Sequence, residues 1–146
     1  MKKIILMLII MLMMFITSCG LEHIEDTNGE DDYSLCVLTK EDIIKGTSTI
    51  IGASIHSNNG SYHKEKVKKL SGVTNILKVD DSKSRTVYIK FNINSGNGIV
   101  AIVSNGNITH IFETNTDTYV TLKGGQEYIV KVAGESCGYE LEIDIK

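Results

Sequence analysis

The sequence predicts an all-β domain, an antiparallel β-sandwich of about eight strands with a short N-terminal helix in front. Three observations predict it. Beyond Gly46 the apolar residues recur with a period of two, the period of a strand with one buried face. Clusters of Gly and Asn interrupt that pattern about every ten residues, the spacing found in sandwiches and barrels. No long helical stretch alternates with the strands, as the crossovers of a parallel sheet would require. The 146 residues are a length for one domain.

The first eighteen residues stand apart. Lys2 and Lys3 precede an unbroken apolar run from Ile4 to Ile16, and all five Met lie in this region. The run is shorter than the roughly 18 residues a membrane-spanning helix needs, and matches the apolar core of a secretory signal peptide. It ends in Ile16-Thr17-Ser18-Cys19-Gly20. These five residues resemble the lipobox of bacterial lipoproteins: an aliphatic residue, two small residues, then Cys. The resemblance implies that residues 1–18 are removed and that the Cys19 thiol carries a diacylglyceryl group. The protein would then be exported and lipid-anchored to the cell membrane, facing outward. Two or three acyl chains anchor stably where one alone is marginal.

Residues 19–34 read as the lipidated Cys and an acidic, flexible tether, with Glu22, Glu25, Asp26, Glu30, Asp31 and Asp32 and few apolar side chains. Residues 35–146 read as the folded domain. Thr39-Lys40-Glu41-Asp42-Ile43-Ile44-Lys45-Gly46 has the signature of a short helix, with a capping Thr, acids in the first turn and Gly past the end. Leu35, Val37, Leu38, Ile43 and Ile44 offer an apolar face that should dock on the sheet. Strands are predicted at 49–56, 73–79, 86–94, 99–103, 108–113, 118–122, 127–133 and 139–145. Tyr62 to Leu70 reads as a lysine-rich loop or one to two helical turns. Ser95-Gly96-Asn97-Gly98 and Gly134-Glu135-Ser136-Cys137-Gly138 read as chain-reversing turns, and Asn105-Gly106 as a type I′ hairpin turn. Ile99 to Val103, apolar without interruption, should be covered on both faces. In the last strand Glu140, Glu142 and Asp144 alternate with apolar residues, giving a charged outer face.

The segment from Arg85 to Lys146, above all Lys123-Gly124-Gly125-Gln126-Glu127-Tyr128-Ile129-Val130-Lys131-Val132, resembles small bacterial jelly-roll modules. The whole layout of signal, tether and sandwich resembles that of small β-sandwich lipoproteins of Firmicutes. That family implies a jelly-roll-like fold and no known activity.

With Cys19 assigned to lipid, Cys36 and Cys137 remain, and two readings stay open. They could form a disulfide, which an exported protein permits. Closing a loop of about 100 residues contributes about 4.7 kcal/mol in the chain-entropy view. They could equally be buried thiols packing as small hydrophobes.

The charge balance, 15 Lys and Arg against 18 Asp and Glu, lacks the basic excess of a nucleic-acid binder. No nucleophile elbow, paired-acid arrangement or metal-ligand spacing stands out, so neither an enzyme, a cofactor nor a metal site is expected. His56 and His63 flank an Asn-rich turn without a third ligand at metal spacing. The candidate ligand surface is Tyr62, His63, Lys64, Lys66, Lys68 and Lys69, since clustered lysines can contact an anionic polymer or lipid surface. Tyr62, Tyr88 and Tyr119 are a candidate platform or cross-strand packing. The expected function is a non-enzymatic, monomeric binding module for an envelope polymer, glycan or surface protein. The alternative is a structural or interaction subunit of an envelope complex.

Overall fold

The computed structural model describes residues 37–47, 49–52, 54–113 and 115–146. The expected signal peptide and acidic tether, with Cys19 and Cys36, lie outside the described residues. The described residues form one short helix and an all-antiparallel β-structure, as the period-two pattern predicts.

Helix α1 spans Lys40–Lys45. The Thr39 hydroxyl accepts from the Asp42 N–H at 3.2 Å, and the Asp42 carboxylate accepts from the Thr39 N–H at 2.8 Å. This reciprocal capping satisfies two backbone donors that a helix start leaves open. The Thr39 hydroxyl also donates to the Asp42 carboxylate at 2.6 Å, and this bond, followed by the one from the Thr39 N–H, holds the Asp42 carboxyl below its usual range.

The strands are β1 (Thr49–Ile51), β2 (Ser54–Asn59), β3 (Tyr62–Asp81), β4 (Arg85–Ser104), β5 (Asn107–Phe112), β6 (Thr116–Leu122) and β7 (Gln126–Ile145). There are seven among the described residues where about eight are expected, and three of them, β3, β4 and β7, are 20 residues long. The lysine-rich stretch after Tyr62 is therefore strand, neither loop nor helix. The Gly-rich segments at 95–98 and 134–138 do not reverse the chain. They are irregular points at which β4 and β7 bend and continue, with register shifts between Ile93 and Asn97 and, on β3, between Val67 and Gly72. Glycine serves a bulge as readily as a turn, because both need a missing Cβ. At Gly96 φ is +67°, and a Cβ on Gly98 would lie 2.4 Å from the Cys137 Sγ. The Asn105-Gly106 turn is as predicted, with φ positive at both residues (50° and 72°).

Each long strand thus contributes to two halves of one sheet. In the first half the order is β2-β3-β7-β4-β6, and in the second it is β1-β3-β7-β4-β5. β7 is central in both. A single core joins the inner faces: Val87, Ile89, Phe91, Leu141 and Ile143 from the first half meet Val79, Val100, Ile102, Val130 and Val132 from the second.

The other face of the second half is covered by α1. Ile43, fully buried, packs with Val73, Ile99, Ala101 and Ala133, which explains why residues 99–103 are apolar throughout. Leu38 joins this cluster, whereas Val37 is 78% exposed and takes no part in the expected docking. Two charged side chains of β7 grip the segment. Lys131 donates to the carbonyls of Ile44 (2.7 Å) and Gly46 (3.1 Å), where a helix presents unpaired acceptors and negative dipole. Glu135 accepts from the N–H groups of Val37 and Leu38 ahead of the helix.

Candidate functional site

The other face of the first half carries the chemistry. The strand register arranges its outward side chains in three rows across five strands. One row runs Asn59, Tyr62, Asp144, Tyr88, Tyr119. The next runs Ser57, Lys64, Glu142, Lys90, Asp117, and the third Ile55, Lys66, Glu140, Asn92. Strands lie about 4.8 Å apart, so a full row is about 20 Å long.

The middle row alternates in sign. Lys64 pairs with Glu142 at 3.4 Å, and Lys66 pairs with Glu140, lowering the Glu140 carboxyl below its usual range, first through their hydrogen bond and then through charge. Such exposed pairs contribute little to stability. Two adjoining depressions indent this face. One, about 280 Å³, is lined by Ile55, Ser57, Lys64, Lys66 and Glu140 among others. The other, about 120 Å³, lies among Lys64, Lys90, Asn92, Glu140 and Glu142. Ile55 is 75% exposed beside the first, an apolar floor rimmed by amines and carboxylates.

At the end of the face, the Tyr88 and Tyr119 rings are 5.1 Å apart and tilted at 45°. Partial burial, then a hydrogen bond to the Asp117 carboxylate, raises the Tyr88 phenol above its ordinary value. The Lys146 ammonium sits over the Tyr119 ring, 5.1 Å from its centroid.

Beneath the face lies a buried polar group. His63 and Glu65 point inward from β3, both almost fully buried. Glu65 Oε1 accepts from the Tyr139 hydroxyl at 2.6 Å, while Oε2 stands 3.3 Å from both His56 Nδ1 and His63 Nε2. The exposed edge of His56 reaches the Ser54 hydroxyl at 2.9 Å. Burial, then the Glu65 charge, pushes the Tyr139 phenol far above its usual value, so it remains a donor. Neither ring nitrogen of His63 has a hydrogen-bond partner. Among the described residues no three His, Cys, Asp or Glu side chains are arranged to hold a metal ion.

The structure divides the candidate surface read from the sequence. Tyr62, Lys64 and Lys66 lie together on the outer face; Lys68 and Lys69 are exposed at the β3 bulge; His63 is on the opposite, buried face. Cys137 is buried within the main core, and burial pushes its thiol up to about 11. Its candidate partner Cys36 lies outside the described residues. Asp81, the last residue of β3, accepts from Arg85 Nε at 2.7 Å. His56 and His63 do approach each other, through Glu65. Sequence reasoning missed Glu65 itself. The signal was present: His63, Glu65 and Val67 alternate with lysines, which places Glu65 inside once the segment is read as a strand.

No protein-family model matches the chain, and no curated protein matches it. Solved structures to which it is similar include a periplasmic inhibitor of g-type lysozyme from Aeromonas hydrophila, at 13% identity over 70% of this chain and 90% of that one, with a TM-score of 0.42. PirA is similar at 16% identity over 62% of this chain and 97% of that one, TM-score 0.41. A family 35 carbohydrate binding module from Clostridium thermocellum is similar at 19% identity over 65% and 90%, TM-score 0.35. Likeness at this level carries no argument about what the chain binds.

Proposed function

We infer that this chain is an exported, non-enzymatic binding module, held to the membrane by a lipid on Cys19, whose three-row outer face engages an envelope polymer, glycan or surface protein. On this reading the sheet doubles over along the line of register shifts into a jelly-roll-like sandwich with one face left for a ligand. The observation that carries it is that face: one side of the second half is covered by α1, whereas the corresponding side of the first half presents tyrosines, amines, carboxylates and an exposed Ile55. The buried groups support a non-enzymatic role. The Cys137 thiol is held away from the thiolate, and Glu65 and Tyr139 satisfy each other inside the core.

Two measurements test this. Cys19→Ala should remain unprocessed and lose metabolic fatty-acid labelling; a variant that still labels overturns the anchor. Full-length protein in detergent should be retained on purified cell-wall sacculi. Replacing Lys64, Lys66 and Lys90 together by Gln should lower retention about tenfold, with the melt unchanged. Equal retention would overturn the assignment of the face.

A second reading is favoured by β2. This edge strand, Ser54–Asn59, carries no Lys, Arg, Asp or Glu to blunt it, and a partner could add a strand there. In that case Ile55→Lys should abolish in-cell crosslinking to a partner protein, and crosslinking unchanged by it would overturn the edge as the docking site.

A further inference from the structure

At the Tyr88–Tyr119 corner a cation already sits over an aromatic ring. Tyr119 is 59% exposed, yet one side of its ring is occupied by the Lys146 ammonium. The second ring stands at 45° to the first, so the pair forms an open angle and not a flat stack. Around it are carboxylates. Asp117 accepts from the Tyr88 hydroxyl, Asp144 is the cross-strand partner of Tyr88, and Glu142 follows two residues before Asp144 on the same face. Lys90 lies opposite Asp117 and Glu142, and Lys64 pairs with Glu142 at 3.4 Å.

Ring faces are the negative pole of an aromatic quadrupole and attract ammonium groups, most strongly when a second ring and carboxylates share the site. An anion there would face the negative pole of the Tyr119 ring, with Asp117 and Asp144 on the strands beside Tyr88. An apolar group would gain one ring and displace an ammonium from it. The chemistry therefore selects a cation of ammonium size, and Lys146 shows where its nitrogen lies.

We propose that the Tyr88–Tyr119 corner is a recognition site for an ammonium group carried by the envelope ligand, and that Lys146 fills it as an internal substitute which the ligand displaces. This rests on the outer face being the binding surface, and it specifies one functional group that the ligand must carry. Lys146 then acts as a competitor. Removing its amine empties the site and leaves one cation fewer beside these carboxylates, with Lys90 opposite Asp117 and Glu142 and Lys64 on Glu142.

The test uses full-length protein in detergent, with choline as the probe and its uncharged isostere 3,3-dimethylbutanol as the control, followed by ligand-observed NMR. Choline should bind, Lys146→Ala should tighten its binding at least threefold, and Tyr119→Ala should weaken it at least tenfold, with Tyr119→Phe close to wild type. The isostere should not bind. Failure of choline to bind Lys146→Ala, or equal binding of the isostere, overturns the site. Unchanged affinity in Lys146→Ala overturns the internal substitute. If sacculi retain the wild type but choline ignores Lys146→Ala, this inference falls and the face assignment stands. If choline binds but the sacculi retain nothing, the reverse holds.

Discussion

Tyr139 and Cys137 are two residues apart on β7, and both are buried acids held in their neutral forms. Burial raises the Cys137 thiol from its ordinary 9.0 to about 11, and Tyr139 is displaced in the same direction. A group whose proton is held more tightly in the folded state contributes stability that is fully present below its unfolded pKa and is lost as pH rises through its folded one. The reduced protein should therefore keep a constant urea midpoint up to about pH 8 and lose stability between about pH 9 and 11. Cys137→Ala should flatten the lower part of that fall. Midpoints measured at intervals across this range decide it; an identical profile in the variant would mean that the thiol is not held neutral by the core. Tyr139→Phe keeps the ring packed against Phe91 but leaves Glu65 Oε1 without its 2.6 Å donor. An unsatisfied buried acceptor costs about 1–3 kcal/mol, and a denaturant melt at neutral pH should show a loss of that size.

Among the elements, α1 has six residues and is too short to be stable alone. It persists because Ile43 is buried and because Lys131 and Glu135 hold its two approaches. Lys131→Met would keep the apolar stem but abandon two carbonyls, at about 1–3 kcal/mol. Thermal melts followed by circular dichroism should show the loss, and no loss would mean that water replaces the amine at no cost. A chain beginning at Thr47 should unfold at lower urea than one beginning at Ser34, since burying one aliphatic side chain is worth about 1.5–3 kcal/mol. This helix was legible in the sequence because its signals are local: a Thr cap, an Asp three residues on, and a Gly at the end. The grip of Lys131 was not, because an amine amid Val130 and Val132 takes its meaning from carbonyls 87 and 85 residues away.

The same division between local and distant information governs the whole molecule. Strand existence and facing were readable from period two, and the Asn-Gly turn from its backbone demands. The bends were not. Gly96 to Gly98 and Gly134 to Gly138 carry the composition of turns, and only their neighbours on the adjacent strand tell a bulge from a reversal. The three-row face was half legible: Glu140, Glu142 and Asp144 were read as outward, but Lys64 and Lys66 joined them only once β3 proved to be continuous. The bend makes its own prediction. An alanine at Gly98 would place Cβ 2.4 Å from the Cys137 Sγ. Overpacking of that kind costs about 1–3 kcal/mol. Combining Gly98→Ala with Cys137→Ala should recover most of it, a coupling that urea melts of the four proteins would measure. Additive losses would mean that the two residues do not compete for the same space.

Continuity of β7 has a mechanical consequence. One unbroken strand holds Lys131 and Glu135, which grip the N-terminal segment, and Glu140, Glu142 and Asp144, which stand on the outer face. Tension applied between the N-terminal segment and a ligand on that face would run along β7. It would shear the hydrogen bonds to β3 and β4 together instead of peeling them one at a time. The strand that organises both halves of the sheet is thereby also the path by which a pull at one end would be resisted at the other.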